Sequence, residues 1–140
     1  MRVGFLQTFP VFGKKGENID NAIVQMNKSD AGLMVLPELF NTGYQFTSRD
    51  EVFALAEKVP DGQTTQALID LAKGKHLYIV AGLAERENDR CYNSAVLVGP
   101  NGFIDCYRKL HLFYHEKRWF EPGNAGLGVY DIGHAKIGIM

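Results

Sequence analysis

Only two cysteines occur in 140 residues, Cys91 and Cys106, too few for a disulfide framework and without the CxxC spacing of a redox or zinc motif. Both are expected as reduced thiols. Charge of one sign is also missing: 15 Lys plus Arg against 16 Asp plus Glu give a net charge of -1, which argues against nucleic acid or an acidic membrane as partner. No apolar run nears the roughly 20 residues that cross a bilayer. The opening MRVGFLQTF lacks the long apolar stretch and small-residue cleavage site of a signal peptide. The expectation is a cytoplasmic protein with no membrane or nucleic-acid partner. Internal repeats, low-complexity segments and linkers are absent too, so residues 1-140 read as one domain.

What is present is ordinary for a globular domain, with 46% hydrophobic and 22% charged residues. Arg2 to Phe9 is a short, mostly apolar run and is expected as a strand buried on both faces. Ile19, Ala22, Ile23 and Met26 recur at helical spacing, with Gly16 or Asn18 opening the helix. Leu33 to Leu36 is a second strand ended by Pro37. Two more helical stripes follow: Val52, Leu55, Ala56 and Val59, stopped by Pro60, then Ala67, Leu68, Leu71 and Ala72, stopped by Gly74. LYIVAGLAE, YNSAVLVG and GFIDCYRKLHL then read as a three-stranded meander with turns at Glu87 to Asp89 and GPNG. Helices alternating with strands early, and strands beside strands later, give an α/β layered fold with a mixed sheet. HAKIGIM closes the chain in strand alternation that is still running at Met140.

Glu38 falls just past the carboxyl end of a buried strand, where open α/β sheets place ligands and catalytic groups; the alternative is a solvated loop glutamate. In FIDCYRKLHLF, alternation puts Tyr107 and Lys109 on one face and Cys106 and Arg108 on the other. Lys109 there either reaches solvent or meets a carboxylate, because an unpaired buried ammonium is costly. His111 and His115 have the i, i+4 spacing of a zinc helix, but the sequence is not HExxH and strand-like residues precede it, so no metal is expected. GNAGLGV lacks GxGxxG order and a following helix, so no cofactor-binding phosphate loop is expected. Cys91 follows charged turn residues and Cys106 shares its face with Ile104 and Leu110, opposite Lys109, so neither reads as a prepared nucleophile.

VLPELFNTGY at 35–44, YRKLHLF at 107–113, FEPGN at 120–124 and KIGIM at 136–140, in that order, resemble the nitrilase superfamily of carbon-nitrogen hydrolases. The similarity runs along essentially the whole chain. It implies a four-layer α-β-β-α sandwich, of which this chain is roughly the N-terminal half, and subunits that form a homodimer or higher oligomer.

The resemblance further implies a Glu-Lys-Cys triad and no cofactor. Carried over by motif, Glu38 of PELF is the general base and Lys109 of YRKLHL stabilises the tetrahedral intermediate. Glu116 supports the lysine, with Glu121 of FEPG as the competitor that residue chemistry alone does not separate from it. The family's cysteine follows the strand resembling KIGIM, so the nucleophile is expected just after Met140 and the 140-residue chain is expected to be inactive alone. Uncovered sheet edges and apolar surface are expected with it. The expected substrate is a small linear amide, with nitriles and N-carbamoyl compounds as alternatives. The reading from another class is a catalytically inactive relative that binds a partner or small molecule.

Overall fold

The computed structural model describes residues 1–140, and its strands follow the sequence pattern in alternating first with helices and then with each other. β1 (Val3–Phe5), α1 (Lys15–Asn27) and β2 (Leu33–Val35) form a strand-helix-strand unit whose strands pair in parallel, Val3 opposite Leu33. α2 (Arg49–Leu55) and α3 (Gln63–Lys75) then lead into β3 (Tyr78–Glu87), which pairs with β2 in parallel. β4 (Arg90–Gly99) and β5 (Gly102–Arg108) return antiparallel, completing a five-stranded mixed sheet in the order β1-β2-β3-β4-β5. The short α4 (Glu116–Trp119) and a separate hairpin of β6 (Val129–Asp131) and β7 (Lys136–Gly138) follow.

Local chemistry sets the boundaries. The Ser48 hydroxyl accepts the Glu51 amide at 3.1 Å to cap α2, and the Glu51 carboxylate reaches back to the Thr47 amide at 2.7 Å. α3 runs through Gly74 and ends at His76, which takes the left-handed conformation at φ 53° and returns its amide to Ala72. The expected Gly74 stop is therefore two residues early.

One sheet face packs against the helices. Met34, Leu36, Ile79, Ala81, Leu83, Val96 and Val98 share a core with Ala22 and Met26 of α1 and Leu68 and Ala72 of α3. Burying each large aliphatic side chain there contributes about 1.5–3 kcal/mol. The chain thus builds one helical layer on one sheet layer. A second apolar cluster, including Leu39, Phe46, Val52, Leu112 and Phe120, sits under the loops that follow β2 and β5.

Other expectations change as well. The Arg2 to Phe9 strand shrinks to β1, and it is not buried on both faces: Val3 is 60% and Phe5 77% exposed. It lies at the sheet edge, and alternation turns these two side chains away from the helices. α2 stops at Leu55, short of Val59, because Glu57 extends to bridge Glu85, with its amide bonded to the Ala84 carbonyl at 2.9 Å. On α3, Ile69, Thr64 and Thr65 are buried while Ala67 is only half-buried. Asn18 lies inside the first turns of α1, where its amide ties Val11 and the Asn41 carbonyl.

β5 carries one extra residue. Leu97 pairs with Asp105 and Val98 with Phe103, leaving Ile104 as a bulge. The Tyr130 hydroxyl donates to Asp105 at 2.7 Å, fastening the β6-β7 hairpin to this strand.

Candidate active site

Pro37 ends β2, and the chain then crosses the sheet face over Gly82. The Leu36 amide bonds the Val80 carbonyl at 2.8 Å and the Phe40 amide the Gly82 carbonyl at 3.1 Å, so the crossing is pinned on both sides of Glu38. Leu39 between them takes φ 50°, left-handed for a buried branched residue, a cost tolerated only where the surroundings impose it. Gly82 makes the crossing possible: a Cβ there would stand 2.5 Å from the Glu38 Cα and 2.9 Å from the Pro37 carbonyl oxygen. Gly82→Ala is expected to destabilise the fold by about 1–3 kcal/mol. Thermal melting of the variant measures the effect, and a wild-type value would show that the crossing yields elsewhere.

Lys109 leaves the end of β5 with its amide on the Asn93 carbonyl at 2.8 Å. Its Nζ donates to Glu38 Oε1 at 2.7 Å and to Glu116 Oε1 at 2.9 Å. Burial alone would pull this ammonium down, but the hydrogen bonds and charges of Glu38 and Glu116 outweigh it and hold it above the usual lysine range. Arg108, the neighbouring residue, faces the other way, as strand alternation requires, and pairs with the buried Glu85.

Glu116 opens α4 and is 3% exposed. Both of its oxygens are engaged: Oε1 accepts from Tyr44 and Lys109, and Oε2 accepts the Phe113 amide at 2.7 Å. Burial would raise its carboxyl, but the bonds from Tyr44, Phe113 and Lys109 prevail and keep it below the usual carboxylate range. Burial, the Glu116 bond and the charge of Glu38 push the Tyr44 hydroxyl well above its ordinary value, so it stays a donor. The competing Glu121 instead pairs with Arg49 at the surface, 2.9 Å away. Glu116, the choice that the resemblance implies, is the one of the two glutamates that meets Lys109.

Two residues here were not singled out from the sequence. Asn93 donates to Glu38 Oε1 at 2.5 Å and reaches Glu116 Oε1 at 3.4 Å. The signal for it was an amide inside the otherwise apolar YNSAVLVG strand. Tyr44, in NTGY, gave no signal beyond its nearness to Glu38 in the chain.

Glu38, Asn93 and Lys109 form the polar end of a groove of about 540 Å³, whose apolar walls include Val35, Val80, Ala95 and Tyr107. Cys91 is buried in the second apolar cluster and Cys106 lies 3.6 Å from Glu85, and neither lines the groove. Burial raises both thiols, and Glu85 adds to the effect at Cys106. His111 and His115 do not join the cluster either; His115 packs edge-on against Tyr114.

Residues 12–140 match the family described as carbon-nitrogen hydrolase. The chain belongs to that family. This carbon-nitrogen hydrolase chain is 50% identical over 143 residues to a nitrilase of Pyrococcus abyssi (strain GE5 / Orsay), covering 100% of the chain and 55% of that protein. It is 30% identical over 139 residues to the omega-amidase NIT2 of Mus musculus, covering 89% of the chain and 49% of the relative. It therefore spans about half the length of the curated relatives it matches. Among solved structures, an N-terminal amidase with an Asn-Glu peptide superposes with a TM-score of 0.82 at 21% identity, over 96% of this chain and 36% of that one, which supports the shared fold. No helix is long and apolar enough to cross a membrane.

Proposed function

We propose that this carbon-nitrogen hydrolase chain supplies the general base, Glu38, and the charge-stabilising cation, Lys109, for hydrolysis of small linear amides. One observation carries the division of roles. Glu116 has both oxygens occupied by donors, whereas Glu38 has only Oε1 occupied and is 38% exposed at its side chain. A base needs an oxygen free to take a proton, and only Glu38 offers one. Glu116 is then the carboxylate that positions Lys109.

The nucleophile is a thiol, as the family resemblance implies. With Cys91 and Cys106 both outside the groove, we assign it to a cysteine beyond these 140 residues. The thiol proton passes to Glu38 Oε2 as sulfur attacks the amide carbon. The carbonyl electron pair moves to oxygen, and the Lys109 Nζ, with two of its three hydrogens already donated, has one left for that developing charge. Protonated Glu38 returns the proton to nitrogen, the C–N bond breaks, and ammonia or an amine leaves an acyl thioester. Water, losing its proton to Glu38, hydrolyses the thioester to a carboxylate and regenerates the thiol. The omega-amidase relative supports an amide, and the more similar Pyrococcus abyssi relative, named a nitrilase, makes a nitrile the second reading that the substrate panel below tests.

The test uses the full-length protein, with this chain joined to the sequence that supplies the thiol. It is offered small aliphatic amides, nitriles and N-carbamoyl compounds while ammonia release is measured and the quenched enzyme is weighed by mass spectrometry. The expected result is fastest turnover of an amide and a transient acyl mass on a cysteine outside residues 1–140. An acyl group on Cys91 or Cys106, or turnover that survives thiol alkylation, defeats the reading.

A further inference from the structure

We propose that Asn93 is a positioning residue that selects which oxygen of Glu38 acts as the base, an inference that rests on the reading of Glu38 given above. Asn93 is 3% exposed in β4, opposite Ala84 of β3, so its side chain has little freedom. Its Nδ2 lies 2.5 Å from Glu38 Oε1 and 3.4 Å from Glu116 Oε1. An amide confronted by two carboxylates must present its NH2, because its own oxygen would face two acceptors.

Lys109 donates to the same Glu38 oxygen, at 2.7 Å. An ammonium is a compact charge on a flexible stem and has no preference between the two oxygens of a carboxylate. The amide is different. Its residue is fixed in an interior strand, and the backbone carbonyl of Asn93 accepts the Lys109 backbone amide at 2.8 Å, so one residue sets both the backbone and the side-chain geometry of the site. Oε1 is held by two donors, which leaves Oε2 as the unengaged oxygen of a residue that lines the groove. The charged groups facing Glu38 are Lys109 from the end of β5 and Glu116 from α4, with the Tyr44 hydroxyl from the loop after β2. Asn93 is the neutral member that stabilises the ionised carboxylate without adding charge.

In the full-length protein, Asn93→Ala is expected to lower kcat about 10- to 100-fold with KM nearly unchanged, because a base turned from its target loses transition-state contact. Asn93→Asp, of the same shape but without the NH2 that holds Glu38 Oε1, is expected to lose at least as much, and it decides the matter if the alanine variant does not fold. A purely structural asparagine would lower the melting temperature and leave kcat of the folded variants near the parent's, and that result overturns the proposal. Glu38→Gln measured alongside separates the two failures. If it keeps its activity, the base assignment itself is wrong; if it is dead while the Asn93 variants keep the parent's kcat, only the role of Asn93 is lost.

Discussion

With Glu38 as the proposed general base, Glu38→Gln in the full-length protein is expected to fold like the parent and to release ammonia from an amide about 10²- to 10⁴-fold more slowly, the usual contribution of such a group. Glutamine keeps an acceptor oxygen for Lys109 and Asn93, which now bond Oε1 at 2.7 and 2.5 Å, and puts an NH2 where the free oxygen stood. The geometry of the cluster survives and its proton acceptor does not. The loss should therefore fall on kcat, with KM changed little. Steady-state kinetics against a melting curve make the distinction, and a kcat within tenfold of the parent would place the base on another group.

Arg108→Met should be among the most destabilising substitutions in the chain, although Arg108 does not line the groove. Its Nε donates to Glu85 Oε2 at 3.0 Å, a second nitrogen meets Glu85 Oε1, and the guanidinium lies 4.0 Å from the centre of the Tyr92 ring. Side-chain exposure is 13% for Arg108 and 6% for Glu85, so methionine would leave a carboxylate buried without its partner. Breaking a buried pair from one side costs about 3–5 kcal/mol, or on the order of 10–20 °C in melting temperature for a domain of this size. The double variant Arg108→Met with Glu85→Gln removes the stranded charge and should regain most of that loss. A single variant melting within about 3 °C of the parent would mean that water reaches Glu85.

How legible was this site? Glu38 and Lys109 could be named because a proline ending an apolar strand and the alternation of a later strand are local patterns, and the ordered motifs added the family. Glu116 and Glu121 lie five residues apart in one charged stretch, and only the path of the chain after β5 separates them. Asn93 was hidden because a polar residue in a strand carries no mark of what it faces. The same limit explains the errors in the fold. An apolar run such as Arg2 to Phe9 does not record whether a second layer covers it, and the stripe from Val52 to Val59 does not reveal that Glu57 will leave the helix for Glu85. The left-handed Leu39 had no signal at all, since no glycine or asparagine marks it.

The bulge at Ile104 decides which of two adjacent cations enters the groove. Counting back from the turn without it, Leu97 would face Ile104 rather than Asp105, and every later residue of β5 would move by one. Arg108 would then stand opposite Asn93, between Glu38 and Glu116, and Lys109 would be delivered to Glu85. A single supernumerary residue thus works as a phase setting for the strand: the planar, forked cation is sent to the face that needs a rigid brace, and the compact one, with a hydrogen to spare, to the face that carries Glu38 and the groove.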